Sequence, residues 1–143
     1  MRIEEAKAGS SELTAAMGRL VGQLSSSAPA PTEQQIDAIV NSPSTRLFLA
    51  RGDDGNIVGT LTLALFRLPT GLRAWIEDVV VDESMRGRGA GEALTREALR
   101  VAGDAGARTV DLTSRPEREA ANRLYMRVGF KRRGTSVYRY ELS

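Results

Sequence analysis

Residues 79–91 read Val-Val-Val-Asp-Glu-Ser-Met-Arg-Gly-Arg-Gly-Ala-Gly, and they are the most informative stretch of the chain. An apolar run ends in a glycine-rich turn over 86–91, and an amphipathic helix follows from near Glu92. A strand, turn and helix in this order leave free backbone N–H groups at the positive end of the helix dipole. Glycine lets the backbone approach an anion closely, while Arg86 and Arg88 add charged donors. The stretch therefore predicts a site for a phosphate or pyrophosphate.

Two common phosphate-binding motifs do not fit this turn. The nucleotide P-loop requires Gly-Lys-Ser/Thr at its end, and no lysine follows here. The dinucleotide fingerprint Gly-x-Gly-x-x-Gly belongs near the first strand of its unit, whereas this turn lies beyond the middle of the chain. The pattern that fits is Arg86-x-x-Gly89-x-Gly91. A glycine-rich turn with solvated arginines is the structural alternative.

The composition indicates one domain over residues 1–143. A 41% hydrophobic and 27% charged chain of 143 residues is ordinary for a compact soluble protein with a core. A net charge of +2 and 5% aromatic residues are a poor basis for nucleic-acid binding. No apolar run reaches membrane-spanning length and the start lacks the apolar stretch of a signal peptide, so we expect a cytoplasmic protein.

Cysteine and histidine are both absent from the chain. Their absence excludes disulfides, thiol nucleophiles, Cys/His metal sites and a Ser-His-Asp triad. It also removes the side chain that most often acts as a general base near neutral pH. Acid–base chemistry must therefore use a carboxylate, tyrosine, lysine or water, and we expect no metal.

Hydrophobic periodicity predicts an α/β fold. Strands are predicted over 2–7, 46–51, 57–67, 73–82, 108–113, 130–133 and 135–141, and helices over 10–24, 32–40, 89–103 and 117–128. The order is β-α-α-β-β-β-α-β-α-β-β. Helices and strands that interleave in this way predict an α/β sandwich, in which helices cover both faces of a mixed central sheet.

A second motif lies in residues 120–130, which read Ala-Ala-Asn-Arg-Leu-Tyr-Met-Arg-Val-Gly-Phe. Asn122 and Tyr125 are three residues apart in a predicted helix and therefore share a face. An asparagine amide can hydrogen-bond a ligand arm that carries amides, and a tyrosine phenol can protonate a leaving thiolate. The alternative is that Tyr125 packs as an amphipathic helix residue and Asn122 is exposed.

The turn over 86–91 and the motif over 122–130 together resemble the GCN5-related N-acetyltransferase (GNAT) family. The resemblance spans about residues 45–142, and the order of strands and helices extends it to the whole chain. It implies a single domain that transfers an acetyl group from acetyl-CoA to a primary amine. With no thiol in the chain, direct attack in a ternary complex follows as the expected mechanism.

The resemblance also implies where acetyl-CoA binds. It places the CoA pyrophosphate on the backbone amides of the turn, and the acetyl group and pantetheine arm along the strand before it, like an added strand. In the family, the fourth and fifth strands splay apart to admit that arm. The residues implied to bind acetyl-CoA are Val79, Val80, Val81, Arg86, Gly87, Arg88, Gly89, Ala90, Gly91 and Asn122. Tyr125 is the expected acid.

Glu77 is the candidate for the group that takes the proton of the acceptor amine. The amine must be neutral to attack a thioester, and Glu77 lies on the strand that enters the acyl site. Strand alternation directs its neighbour Asp78 to the other face, so one carboxylate holds the ammonium while the other faces a helix. Asp78 is therefore a candidate substrate ligand. The alternative for both is a charge at the edge of the sheet.

The identity of the acceptor stays open. Residues 76–87 are locally similar to glucosamine-6-phosphate N-acetyltransferases, so an amino sugar is one candidate beside other small molecules and protein amines. A transferase that uses a longer acyl-CoA and a non-catalytic acyl-CoA sensor are the alternative functions. A sensor needs neither Tyr125 nor Glu77, which favours an enzyme. We expect no nucleic-acid or membrane partner, and a homodimer is left open.

Overall fold

The computed structural model describes the whole chain, Met1–Ser143. Its strands are β1 (Arg2–Glu5), β2 (Thr45–Arg51), β3 (Ile57–Leu68), β4 (Gly71–Val81) and β5 (Val110–Asp111). Its α-helices are α1 (Ser11–Leu24), α2 (Glu33–Asn41), α3 (Ala90–Asp104) and α4 (Glu119–Val128), and a short 3-10 helix covers Glu83–Met85. The chain divides into two compact units, Met1–Thr113 and Ser114–Ser143. None of the helices is long and apolar enough to cross a membrane.

The five strands form one sheet in the order β1-β2-β3-β4-β5. The first four strands are antiparallel to their neighbours, whereas β5 runs parallel to β4, so the predicted mixed sheet is confirmed. The parallel pairing is short, because only Ala74 and Trp75 of β4 have partners on β5. From Ile76 onward, that edge of β4 has no neighbouring strand. The pairing with β5 therefore ends at Trp75, and the rest of this edge of β4 is open.

Helices α1 and α2 cover one face of the sheet. The side chain of Ser10 caps α1, and a capping box formed by Thr32 and Gln35 begins α2. The apolar faces of the two helices share one core with the sheet, which contains Leu13, Met17, Leu20 and Ile36 from the helices and Leu47, Leu49, Ile57 and Val80 from the strands. Burial of this apolar surface is the main force that holds the two helices to the sheet.

Helix α3 covers the opposite face. A Cβ placed on Gly59 would lie 3.3 Å from a methyl carbon of Leu94 and 3.5 Å from the Cβ of Ala50. Ala50 follows Leu49, which packs with α1 and α2, and successive strand residues point to opposite faces. The glycine therefore allows α3 to pack closely on the sheet, and the predicted arrangement of helices on both faces is confirmed.

The prediction of two closing strands is wrong. Residues 130–143 form neither helix nor strand, and every residue from 131 onward is exposed. Alternating apolar residues fit the surface of a sheet, but a strand forms only where its backbone groups pair with another strand. The fifth strand is also shorter than predicted, with two residues instead of the range 108–113.

We expect Leu20→Ala to lower the free energy of unfolding by about 2–5 kcal/mol, because Leu20 is 0% exposed between α1 and the sheet. Gly22→Ala is the control on the same helix, since a Cβ there would meet no atom within 4 Å. It should raise the free energy of unfolding by about 1 kcal/mol through helix propensity. Urea denaturation of the three proteins measures both changes, and an unaffected Leu20 variant would contradict this packing.

Candidate active site

The turn between β4 and α3 presents unpaired backbone donors. Gly87 and Gly89 adopt positive φ angles of 79° and 86°, a backbone region that favours glycine. Gly89 is also the N-cap of α3 and provides no side-chain cap. The backbone N–H groups of Gly87, Arg88 and Gly89 donate to no acceptor in the protein. Three such donors at the N-terminus of a 15-residue helix form a site suited to an anion.

The surroundings of this turn are open. A Cβ on Gly87 or Gly89 would meet no atom within 4 Å, so glycine is required there by the backbone angles and not by crowding. Arg86 is exposed and its Nε donates to the Val81 carbonyl at 3.3 Å. Arg88 is exposed as well. Both guanidinium groups are therefore accessible to a ligand.

Asp82 fixes the approach to the turn. Its carboxylate accepts hydrogen bonds from the backbone N–H of Ser84 at 3.1 Å and from the Ser84 hydroxyl at 2.9 Å, and Arg19 of α1 donates to it at 3.2 Å. The hydrogen bonds from Ser84, with a smaller contribution from Arg19, hold the pKa of Asp82 below its usual range. Asp82 is not among the residues predicted from the sequence, although an aspartate two residues before a serine is typical of such turns.

A β-bulge interrupts β4 just before the valine run. Thr62 pairs with Glu77 and Thr60 with Val80, so one residue of β3 faces two residues of β4. Asp78 lies in this bulge with φ of 51°, and it is the only non-glycine residue with a positive φ. Strict alternation does not continue through the bulge, because Asp78 and Val79 together lie opposite Leu61 of β3. Glu77 and Val80 share one face of the sheet.

Glu77 is exposed and accessible to a ligand. The indole Nε1–H of Trp75 donates to Glu77 Oε1 at 2.8 Å, which orients the carboxylate. Trp75 is not among the site residues predicted from the sequence. Its position two residues before Glu77, on the same face of the strand, could have indicated it. Val80 is buried in the core, whereas Val79 and Val81 are partly exposed. No group of three or more potential metal-ligating side chains comes together in the chain.

The unit Ser114–Ser143 contains Asn122 and Tyr125 on α4. Asn122 Nδ2 donates to the Arg115 carbonyl at 2.9 Å, so this amide group helps to hold the segment before the helix. The ring of Tyr125 is buried and meets Phe130 edge to face at 5.7 Å. Burial raises the pKa of the Tyr125 phenol, opposed weakly by Arg118, so the phenol keeps its proton at neutral pH.

The structure places the residues from Glu77 to Gly91 on one continuous segment of the first unit, formed by β4, the turn and the start of α3. The model of the acetyltransferase (GNAT) family matches residues 16–130. The chain belongs to this family. The resemblance that the two sequence motifs indicated is therefore confirmed.

Solved structures support the same fold. The chain is similar to a "Putative acetyltransferase from Agrobacterium tumefaciens str. C58", with 26% identity and a TM-score of 0.86 over 99% of this chain and 100% of the other. An aminoglycoside acetyltransferase from an uncultured soil metagenomic sample, in complex with trehalose, shares 19% identity and a TM-score of 0.84 over 99% and 95%. Glucosamine-6-phosphate N-acetyltransferase from Arabidopsis thaliana shares 18% identity and a TM-score of 0.78 over 98% and 99%. No curated protein sequence matches the chain.

We expect Asp82→Asn to lower the free energy of unfolding at pH 7 by about 1 kcal/mol, because asparagine keeps an acceptor oxygen but loses the charge that strengthens the hydrogen bonds from Ser84 and Arg19. The pKa of Asp82 is lowered in the folded state. Its contribution is therefore complete above the unfolded pKa of about 3.9 and disappears as the pH falls through the lower folded value. Urea denaturation is measured from pH 7 to about 2.5. The difference in the free energy of unfolding between wild type and variant should become smaller only below that unfolded pKa.

Asp104→Asn is the control for this experiment, because the Asp104 side chain is 73% exposed in a pair with Arg100. An exposed pair contributes little, so the control should stay within about 0.5 kcal/mol of wild type at every pH. A constant difference between wild type and Asp82→Asn over the whole range would show that ionisation of Asp82 does not support the turn.

Proposed function

We propose that this protein is an N-acetyltransferase that moves an acetyl group from acetyl-CoA to a primary amine within a ternary complex. One combination of features carries the proposal. Three unpaired backbone N–H groups lie over Gly87–Gly89, and the strand that leads to them has an open edge from Ile76 onward. An anion matches the unpaired N–H groups, and an extended chain with amide groups matches the open strand edge.

The anionic end of the donor fits the turn. Backbone N–H groups over 87–89 and the first turn of α3, which contains Ala90 and Gly91, provide donors and a favourable helix dipole for a diphosphate. The exposed guanidinium groups of Arg86 and Arg88 add charge-assisted hydrogen bonds. The backbone N–H groups and the guanidinium groups would both bind phosphate oxygens, and we assign no residue to the adenosine part of the donor.

The amide-bearing arm of acetyl-CoA fits the open edge of β4. Backbone groups at a sheet edge need partners, and an extended ligand can provide them as an added strand does. We assign this role to the backbone of Val79, Val80 and Val81. We expect Asn122 to form a hydrogen bond with the same arm, although its amide nitrogen already donates to the Arg115 carbonyl.

The chemistry requires one proton acceptor and one proton donor. The nitrogen lone pair of the amine attacks the thioester carbonyl carbon, a C–N bond forms, the C–S bond breaks, and CoA leaves as a thiolate. Glu77 accepts the proton that the nitrogen loses, directly or through water, and Tyr125 gives a proton to the thiolate. The buried Tyr125 phenol is protonated at neutral pH, which suits an acid. The products are an amide and free CoA thiol.

We expect acetyl-CoA to stabilise the protein against heat. Ligand at about 100 times its dissociation constant adds roughly 2.7 kcal/mol, which raises the melting temperature by several degrees. Gly89→Asp should abolish the shift, because it places a carboxylate beside the N–H donors of the turn. Differential scanning fluorimetry with acetyl-CoA measures both effects, and free thiol release with a panel of amines then separates a transferase from an acyl-CoA sensor.

Gly106→Asp is the matched control for the turn. Gly106 also has a positive φ, of 91°, and a Cβ there would likewise meet no atom within 4 Å. It lies beyond the C-terminal end of α3, so the backbone strain is similar but the donors at the other end are untouched. A folded Gly89→Asp variant that retains the shift would contradict the assignment of the diphosphate to this turn.

We expect Tyr125→Phe to lower kcat by about 10²–10⁴-fold with little change in the affinity for acetyl-CoA. The hydroxyl acts only as the thiolate leaves, while phenylalanine keeps the ring contact with Phe130. Tyr138→Phe, at a tyrosine that is 92% exposed, is the control and should leave kcat unchanged. Steady-state kinetics under conditions in which chemistry limits turnover measures this, and an unchanged kcat would make Tyr125 a packing residue.

A further inference from the structure

One face of β4 carries three alternate residues of different chemistry. Arg73, Trp75 and Glu77 lie two residues apart on the strand before the bulge, so they share a face. We call these three residues the acceptor strip. Its ends are about 14 Å apart at the Cα atoms, since an antiparallel strand rises about 3.4 Å per residue. The strip therefore has a carboxylate at one end, an indole in the middle and a guanidinium at the other end.

The neighbouring strand adds apolar surface beside the strip. Phe66 of β3 pairs with Arg73, and Ala64 pairs with Trp75, so both lie on the same face. Phe66 is 39% exposed, and the Trp75 side chain is only partly buried. This part of the sheet face is accessible, and an acceptor with an apolar body can lie against the two aromatic rings.

The guanidinium of Arg73 has unused hydrogen-bonding capacity. Its Nη2 donates to the Thr70 hydroxyl at 3.2 Å, whereas its Nε is buried and has no hydrogen-bond partner. Buried donors without a partner are rare in folded proteins, and those on a charged group are costly. None of the salt bridges involves Arg73, so its guanidinium has no carboxylate partner.

A second arginine contacts Thr70, which lies in the turn between β3 and β4. Arg108 Nη1 donates to the Thr70 carbonyl at 3.1 Å, and Arg108 likewise forms no salt bridge. A Cβ on Gly71 would lie 2.9 Å from Arg108 Cδ, so the glycine makes room for this side chain. Two guanidinium groups thus contact one residue, with no carboxylate to neutralise them.

We propose that the acceptor carries an anionic group, a carboxylate or a phosphate, at the end opposite its amine, and that Arg73 and Arg108 bind this group. The assignment of the amine to the Glu77 end rests on the proposed function. The amine lies at Glu77, the apolar body lies against Trp75 and Phe66, and the anion accepts hydrogen bonds from the two guanidinium groups. Amine and anion then occupy opposite ends of the acceptor strip.

Trp75 provides a direct test, because it is the only tryptophan in the chain. Its fluorescence is titrated in the presence of CoA with ω-amino carboxylates from aminohexanoate to aminododecanoate, with aminoalkyl phosphates of similar length, and with the matching carboxamides. We expect the dissociation constant of the best anionic compound to be about 10–100-fold lower than that of its carboxamide, as for a hydrogen bond to a charged group. Comparing carboxylates with phosphates identifies the preferred anion.

The variants assign this preference to particular residues. Arg73→Met should remove most of it, and Arg73→Lys should keep a part of it. Arg67→Met is the matched control, because Arg67 is an exposed arginine on the same hairpin and adjacent to Phe66, so it faces away from the strip. It should leave the preference within about 2-fold of wild type. If Arg73→Met does not fold, Arg108→Gln provides the same comparison.

Equal affinity for the carboxylates, phosphates and carboxamides would overturn the proposal, and so would a preference that survives in both Arg73→Met and Arg108→Gln. Acetyl transfer is measured separately with the same compounds. A preference for anions in the fluorescence titration with no transfer to any amine would support the anion site and overturn the proposed function. Transfer to carboxylate and carboxamide acceptors with equal kcat/KM would support the proposed function and overturn this inference.

Discussion

The short pairing between β4 and β5 is the constraint on which the rest of the site depends. The two parallel strands share only two residue pairs, after which β4 continues for six more residues without a neighbour on that edge. Backbone groups in that position must find water or a ligand. The same strand leads into the turn before α3, where three further backbone N–H groups have no acceptor in the protein. Unpaired backbone, more than any single side chain, defines where a ligand can bind.

The bulge at Asp78 sets which side chains accompany that backbone. An aspartate with φ of 51° is strained by about 1 kcal/mol or more, and a cost of this kind persists only where the surrounding structure enforces it. The extra residue shifts the alternation of β4, so that Val80 enters the core while Glu77 remains on the same face and accessible. The strand residues after the bulge therefore include the buried Val80, whereas those before it include the accessible Glu77.

The turn itself is held by polar groups from distant parts of the chain. Asp82 binds Ser84 and receives a hydrogen bond from Arg19, and Gln23 accepts one from the Glu83 N–H at 2.9 Å. Both Arg19 and Gln23 belong to α1, which also packs its apolar face on the sheet. The helix that stabilises one face of the core therefore also orients the entry to the glycine-rich turn.

The sequence alone determined the class of fold, the glycine-rich turn and the family. These depend on local properties: the period of apolar residues, the angles that only glycine adopts readily, and motifs at short spacing. Tertiary structure decided what depends on partners far along the chain. The closing strands are absent since no strand pairs with residues 130–143, and Glu77 and Val80 share a face because the register of β3 against β4 contains a bulge. The convergence of Arg73 and Arg108 on Thr70 could not be predicted either, because contacts between separate segments are set by the packing of the whole sheet.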